Sequence, residues 1–179
     1  MIHRFIFFFL FSYNLFGQFE GNKHIVGPSF GFSFLGSSFQ IGANHEYGIN
    51  LVDMGIDGAG KIGIGGIFRY WNYSEETVNV NRDYADILAG LQTNYHFYMP
   101  NDKVDPWVGL ILAYDFGYQD VEIKNIGFKV YDESYGGFWI GAQAGSRYWI
   151  NNNLALNLRI GFGIESYGFL DFGFDYQIH

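Results

Sequence analysis

The sequence contains no cysteine, only 3 prolines and few basic residues. Without cysteine the chain has no disulfide, no thiolate metal site, no cysteine nucleophile and no residue to carry a lipoprotein anchor. So few prolines argue against a disordered chain or a proline-rich linker. The chain has 10 basic and 18 acidic residues, which gives a formal net charge of −8, and the basic residues form no stripe. A nucleic-acid partner therefore has no electrostatic support.

Long apolar runs are also scarce, and the clearest one opens the chain. His3 and Arg4 provide a short positive start, residues 5–11 are apolar without interruption, and Gly17 is a small residue at the expected cut. This pattern predicts a cleaved secretory signal peptide over residues 1–17. An N-terminal membrane anchor is the alternative, but the run is far shorter than the roughly 20 residues of a spanning helix. No later segment is long and apolar enough for such a helix either.

Glycine and aromatic residues are plentiful, and apolar residues alternate with small or polar ones. Aromatic residues make up 21% of the chain and there are 25 glycines, which suits closely apposed strands better than helices. Between Leu154 and Glu165, apolar residues fill every second position. Because successive side chains of a strand point to opposite faces, one face is apolar and the other is small or charged. The same alternation occurs in eight segments, 26–34, 39–47, 61–71, 89–98, 108–117, 138–149, 154–165 and 170–178.

These segments predict the fold class. Each is near the roughly 9–11 residues that a tilted strand needs to cross a bilayer. We therefore predict an all-β domain over residues 18–179, an eight-stranded antiparallel up-and-down transmembrane β-barrel preceded by the signal peptide. Apolar and polar residues also alternate along the strands of a soluble barrel, but there the polar face is in contact with water. The non-apolar face is rich in small residues and poor in Lys and Glu, which favours a narrow lumen inside and lipid outside.

The connections and the aromatic residues fit a barrel that crosses a membrane. The polar stretches 74–83 and 124–135 predict long loops on one side, and the links 100–105 and 151–153 predict short turns on the other. Aromatic residues near the strand ends predict two interfacial belts. The predicted belts contain Tyr70, Trp71, Tyr73, Tyr114, Tyr118, Phe138 and Trp139 on the long-loop side, and Tyr47, Tyr95, Phe97, Trp107, Tyr148, Trp149 and Tyr176 on the other.

The last strand, residues 171–178, carries the sharpest motif. In this motif a polar residue is followed two positions later by a glycine. Two apolar residues come after the glycine, and they are two positions apart. Those places are filled by Asp171, Gly173, Tyr176 and Ile178. From Phe19 to His179 the chain resembles the OmpA/OmpX/OmpW-like small outer-membrane β-barrels of Gram-negative bacteria. The resemblance implies that the motif is an assembly signal read by the barrel-assembly machinery, and that the protein lies in the outer membrane in contact with its lipid.

The predicted lumen contains charged residues of both signs. They are Glu46, Lys61, Arg69, Asp115, Arg147, Arg159, Glu165, Asp171 and Asp175. Charges removed from water must be paired, and an eight-stranded barrel is just wide enough for its own side chains. We therefore predict a network of ion pairs that fills the lumen, with Arg159 near Asp171 or Asp175. A charged passage or a binding site is the alternative.

No motif points to catalysis, a cofactor or a metal. Residues 58–63 match the letters of a dinucleotide-binding fingerprint, but the strand that follows cannot supply the helix N-terminus that receives phosphates. The histidines of the mature chain are scattered, and none pairs with another at metal-ligand spacing. No serine, histidine and acid lie in a recognisable nucleophile elbow. We therefore assign no catalytic, cofactor or metal residues and predict that the protein is not an enzyme.

Three hypotheses for the function follow from the sequence. The first is a non-enzymatic, monomeric outer-membrane barrel with a structural role, a surface-interaction role through its long loops, or a role as a minor passage for solutes. The second is a soluble periplasmic or secreted barrel that binds a small ligand. The third is an outer-membrane barrel enzyme. The barrel fold itself does not specify a loop partner, because many roles share it.

Overall fold

The structure of the chain is a computed structural model. It describes residues 19–56, 60–124, 128–164 and 167–178. The predicted signal peptide, residues 1–17, lies outside the described residues, as does Gln18 at the start of the predicted mature domain. Glu165 of the predicted lumen network also lies outside them.

Across the described residues, eight antiparallel strands close into a barrel, which confirms the predicted fold class. Each strand pairs with the next along the chain, and β8 pairs back with β1. The strands are β1 (His24–Ser33), β2 (Ser38–Asn50), β3 (Lys61–Glu76), β4 (Val80–His96), β5 (Val104–Ile123), β6 (Phe128–Trp149), β7 (Leu154–Gly163) and β8 (Gly168–Ile178). His24 and Ile178 are partners in the β1–β8 ladder, so β1 begins and β8 ends at one end of the barrel, which we call the terminal end.

The two faces of the barrel wall differ as the alternation predicts. In β7, Leu156, Leu158 and Ile160 point outward and are exposed, whereas Asn157 and Arg159 point inward and are buried. The outward residues of the eight strands form an apolar band around the barrel. Within the described ranges, no helix is long and apolar enough to cross a membrane.

All four tryptophans point into the lumen, so their predicted place in the interfacial belts is wrong. Trp71, Trp107, Trp139 and Trp149 are each only 1–2% exposed. Each lies next to an outward residue in the sequence, and the two-residue period of a strand turns it inward. Tyr73 lies on the inward face for the same reason. The outward members of the predicted belts are Tyr70, Tyr114, Tyr118 and Phe138 toward one end, and Tyr47, Tyr95, Phe97, Tyr148 and Tyr176 toward the terminal end.

Strands β3 to β6 are longer than the others and rise beyond the rim of the barrel. β5 and β6 contain 20 and 22 residues, against 10 each in β1 and β7. The predicted loops 74–83 and 124–135 are therefore wrong over most of their length, because β3 continues to Glu76 and β6 begins at Phe128. Beyond the rim no lipid contacts the sheet, so its outward face does not need to be apolar. The strands there therefore lose the alternation of apolar and polar residues. We call this part of the sheet the extension; it comprises residues 72–85, 118–124 and 128–135.

The extension has two free edges. The β2–β3 ladder ends at Trp71, and the β6–β7 ladder begins at Gly141. In the part of the chain that the structure describes, residues 72–76 of β3 and 128–140 of β6 therefore pair on one side only. Such edges present unpaired backbone N–H and C=O groups.

Short connections join the strands at the terminal end. A 3₁₀ turn, Leu51–Met54, follows β2, and residues 97–103 join β4 to β5. The predicted link 100–105 begins and ends too late, because β4 ends at His96 and β5 begins at Val104. Asp105 is therefore part of the barrel wall, and its buried side chain points into the lumen.

Candidate functional site: the filled lumen

Arg147 lies at the centre of a charged network in the terminal half of the lumen. Its Nε donates a hydrogen bond to Asp175 Oδ2 at 2.5 Å, its Nη1 to Asp105 Oδ2 at 3.4 Å, and its Nη2 to Glu46 Oε2. The four side chains come from β2, β5, β6 and β8, and each is at most 3% exposed. The guanidinium thus joins carboxylates from different sides of the barrel. A buried charge requires such partners, because it has lost its water.

Both ring nitrogens of His96 face carboxylates of the same network. Nε2 lies 2.7 Å from Glu46 Oε1 and Nδ1 lies 2.8 Å from Asp105 Oδ1, with the ring buried. An ionised carboxylate only accepts hydrogen bonds, so the ring donates from both nitrogens and is an imidazolium. Gly63 on β3 leaves room for this arrangement, since a Cβ there would lie 1.6 Å from Glu46 Oε1. The alternation places His96 on the inward face, but no sequence signal pairs it with Asp105.

A second guanidinium, that of Arg69, lies nearer the extension. Its Nε donates to Asp171 Oδ2 at 2.7 Å, and its Nη2 lies 2.6 Å from the same oxygen. Nη2 also donates to Asn44 Oδ1 at 2.8 Å, and Nη1 donates to the carbonyl oxygen of Phe68 at 2.6 Å. Gln40 donates to the other carboxylate oxygen of Asp171. This pair therefore joins β3 to β8 across the lumen.

Arg159 lies beside its predicted partner but contacts other groups. The β7–β8 ladder pairs Arg159 with Asp171, yet Arg159 Nη1 donates to Asn44 Oδ1 and, at 3.3 Å, to Gln92 Oε1. The guanidinium carbon lies 4.9 Å from the ring centroid of Trp107, which is a cation–π contact. Both acidic residues of β8 already accept hydrogen bonds from the other two arginines. The hydrogen-bond partners of Arg159 are therefore neutral amides.

The remaining predicted lumen residues lie toward the two ends. Lys61, half-buried at the terminal end, donates a hydrogen bond to the carbonyl oxygen of Phe19. The Phe19 ring is fully buried, with its centroid 4.1 Å from that of His96 and 5.5 Å from the guanidinium carbon of Arg147. Asp115 points inward near the extension and is half-buried. The segment that precedes β1 thus packs into the terminal end of the lumen.

Aromatic rings fill the half of the lumen next to the extension. Tyr167 stacks on Trp71 with ring centroids 4.5 Å apart, and Trp139 meets Tyr167 edge-on at 5.3 Å. Phe169 lies 5.8 Å from Tyr167, and the guanidinium carbon of Arg69 lies 5.5 Å from the Phe169 centroid. Aromatic pairs at these separations contribute about 0.5–1.5 kcal/mol each beyond their buried area. Arg69 therefore connects the aromatic half of the lumen to the charged half.

Polar contacts continue into the extension. The Tyr135 hydroxyl donates to Asp86 Oδ1 at 2.6 Å, and Lys124 Nζ donates to Glu76. The hydrogen bond from Lys124, together with its positive charge, holds the pKa of the Glu76 carboxyl below its ordinary value of 4.5. Asp86 is buried at the extension side of the lumen, and no pattern in the sequence indicates this position.

The four residues of the predicted assembly motif lie in β8. Asp171 and Gly173 point inward, and Tyr176 and Ile178 point outward. β8 pairs with both β7 and β1, so the motif lies at the seam where the first and last strands close the barrel. Its recognition by an assembly machinery stays a prediction.

The arrangement favours a filled lumen over a reaction centre. The hydrogen-bonded network contains the carboxylates of Glu46, Asp105, Asp171 and Asp175, which are paired with the guanidiniums of Arg69 and Arg147 and with His96. Two broad concavities of about 610 and 730 Å³ lie between outward side chains of the apolar band, and a smaller cavity of about 220 Å³ borders Lys61, His96 and Asp105 at the terminal end. Among the residues described, no group of three or more His, Asp or Glu could hold a metal ion.

Comparison with protein-family models and with curated protein sequences found no match. Solved structures match over most of the chain. OprG of Pseudomonas aeruginosa, an outer membrane protein, has a TM-score of 0.61 at 12% identity, and the match covers 93% of this chain and 100% of that one. Ail of Yersinia pestis, an attachment invasion locus protein, has a TM-score of 0.56 at 13% identity, with 87% and 97% covered.

A third solved structure is the N-terminal β-barrel domain of OprF from Pseudomonas aeruginosa. Its TM-score is 0.55 at 17% identity, and the match covers 88% of this chain and 98% of that domain. At these identities the likeness concerns the fold alone. With its closed ring of eight antiparallel strands, apolar outside and filled inside, the chain has the fold of the small outer-membrane β-barrels, as the motif in its last strand implied.

Proposed function

We propose that the protein is a non-enzymatic barrel of the outer membrane that acts at the cell surface through its extension. The observation that carries this proposal is the difference in strand length, because β3 to β6 continue past the rim as a four-stranded sheet. The likeness to outer-membrane barrels and the apolar outward band support the location. The expected signal peptide agrees with export.

The filled lumen supports a surface role over solute passage. Buried side chains of the Arg147 network occupy the terminal half, and aromatic rings with Trp71 and Phe169 occupy the other half. Salt bridges and hydrogen bonds join β2, β5, β6 and β8 across the space that a channel would need. In planar bilayers the purified protein should give no stepwise conductance. Regular conductance steps that vanish when the protein is omitted would contradict a closed lumen.

The free edge of β6 is the part of the extension best suited to a partner. Among the described residues, 128–135 have ladder partners on β5 only, so the backbone groups on the other side are available to an added strand. When a strand adds to an exposed edge, main-chain hydrogen bonds supply affinity and alternate side chains supply specificity. The partner that fits this edge is an extended polypeptide segment.

Shortening the extension tests this function. In the trimmed variant, residues 74–83 and 120–132 are each replaced by Asn-Gly, which favours a two-residue hairpin turn between the remaining paired strands. The probe is a displayed library of random peptides, applied to the intact and the trimmed protein in lipid nanodiscs. Peptides enriched on the intact protein should not be retained by the trimmed one, while heat-modifiable gel mobility shows that the trimmed barrel is folded. Equal retention by both proteins, or no enrichment on the intact one, would overturn the proposal.

A further inference from the structure

Two histidines come together on the outward face of the barrel near the terminal end. His24 opens β1 and His45 lies in β2, and the ladder pairs His24 with Tyr47 and Val26 with His45. The two imidazoles are therefore diagonal neighbours across the strands, although 21 residues separate them in the chain. His24 Nδ1 lies 2.9 Å from His45 Nε2, the ring centroids are 5.2 Å apart, and both side chains are exposed. Neither residue belongs to the lumen network.

The separation of these two nitrogens is that of neighbouring ligands on one metal ion. Imidazole nitrogens bind transition metals at about 2.0–2.1 Å, so two of them at a right angle to each other are about 2.9 Å apart. Right angles between ligands are typical of the tetragonal geometry of Cu²⁺ and Ni²⁺ in nitrogen and oxygen sites. The two side chains therefore already have the spacing of a two-nitrogen chelate.

The space around the pair leaves room for further ligands. His45 faces Gly66 of β3 across the ladder, and a Cβ added at Gly66 would meet nothing closer than 3.6 Å. On the other side, Tyr47 flanks His24 with ring centroids 4.9 Å apart. A belt of tyrosines marks the membrane interface, where water molecules can complete the coordination sphere. Such a site would lie in the outward belt of tyrosines at the terminal end.

We propose that His24 and His45 form a two-imidazole chelate for a divalent transition-metal ion. Cu²⁺ binds more tightly than Ni²⁺ or Zn²⁺, as expected for nitrogen ligands. The metal ion replaces the hydrogen bond between the two rings. The ring that donated this hydrogen bond moves its proton to its other nitrogen through solvent, so each neutral imidazole keeps one N–H, and no oxidation or reduction takes place. The bound ion links β1 to β2 beside the seam where the barrel closes.

Copper titration of the folded protein tests the chelate. Cu²⁺ alone is the probe, added to the full chain in detergent micelles in a buffer that does not bind metals. Calorimetry should show one site, and electron paramagnetic resonance should show hyperfine coupling to two nitrogens. His24→Gln and His45→Gln should each weaken Cu²⁺ binding at least about tenfold, because the second imidazole acts as an intramolecular ligand at high effective concentration.

Matched variants separate this site from other copper ligands. Tyr47→Phe retains both imidazoles and should bind Cu²⁺ as the unaltered protein does. The double variant His24→Gln, His45→Gln retains every other donor in the chain, so its residual binding is the background. Gel mobility confirms that each variant is folded. Equal Cu²⁺ affinity in the double variant and the unaltered protein, coupling to one nitrogen only, or an equally large loss in Tyr47→Phe would overturn the proposal.

Discussion

The two halves of the lumen are filled by different chemistry. In the terminal half, Arg147 and His96 are each held by two or more carboxylates. In the half next to the extension, Trp71, Trp139 and Tyr167 pack ring against ring. Arg69 takes part in both, since it pairs with a carboxylate and lies against the ring of an aromatic residue.

This difference determines how each half responds to change. A buried ion pair loses more than its own attraction when one member is removed, because the other charge stays buried without a partner. An aromatic cluster loses contact area and leaves a cavity, and the loss depends on how far neighbours can move. The charged half should therefore be the more sensitive to a single substitution.

Arg147→Met should cause the largest loss of stability. The substitution keeps much of the side-chain volume but leaves Glu46, Asp105 and Asp175 close together without their guanidinium. We expect the free energy of unfolding to fall by about 3–5 kcal/mol. Urea titration of the protein folded in phospholipid vesicles, followed by tryptophan fluorescence, measures the change.

Arg82→Met is the matched control for this substitution. Arg82 lies opposite Glu75 in the extension and is half-buried. Its removal should cost less than about 1 kcal/mol, because charged side chains in contact with water contribute little. Equal losses in the free energy of unfolding from the two arginine substitutions would show that the charged network does not make the terminal half more sensitive to substitution.

Phe169→Ala should cause a smaller loss, in the aromatic half. The ring is fully buried against Tyr167 and beside Arg69, so its removal leaves a cavity and also ends a cation–π contact. We expect a loss of about 3 kcal/mol in the same urea titration. Phe169→Leu fills most of the space and should cost less than about 1.5 kcal/mol. A loss from Phe169→Ala greater than that from Arg147→Met would reverse the ranking of the two halves.

The exposed pair Glu76 and Lys124 should show the smallest effect, and it should depend on pH. The pKa of Glu76 is lowered in the folded protein, so its contribution to stability is present above its ordinary value of 4.5 and is lost as the pH falls through the lowered pKa. Carboxyl carbon shifts of Glu76, measured by NMR against pH, should report the lowered pKa. In Lys124→Met the titration should move back toward the ordinary value. An unchanged curve would show that the pair does not form in solution.

Strand number and strand faces could be predicted from the sequence because the bilayer imposes them. Leu156, Leu158 and Ile160 must face lipid, so the residues between them must face the lumen, and the structure shows this division. Beyond the rim no such requirement exists. Residues such as Glu75 and Glu76 therefore looked like a loop although they belong to β3.

The partners within the lumen and on the outer face could not be predicted, because they depend on register. His24 and His45 appeared isolated until the β1–β2 ladder placed them together. His96 and Asp105 come from neighbouring strands, and the contact of His96 with Glu46 also requires the space that Gly63 leaves for that carboxylate. The prediction that the tryptophans lie in the interfacial belts is wrong for a different reason. An aromatic residue near a strand end can point to either face, and its position near the end does not indicate which.

The ten-residue strands β1 and β7 also define the hydrophobic thickness of the molecule. At about 3.3 Å per residue and a tilt of about 40°, ten residues rise about 25 Å along the barrel axis. This is roughly the height of the apolar band in outer-membrane barrels, so β1 and β7 are just long enough to cross it. The opposite side, with strands of 20 and 22 residues, continues past that band as the extension. A thicker membrane would therefore have to thin where it meets β1 and β7.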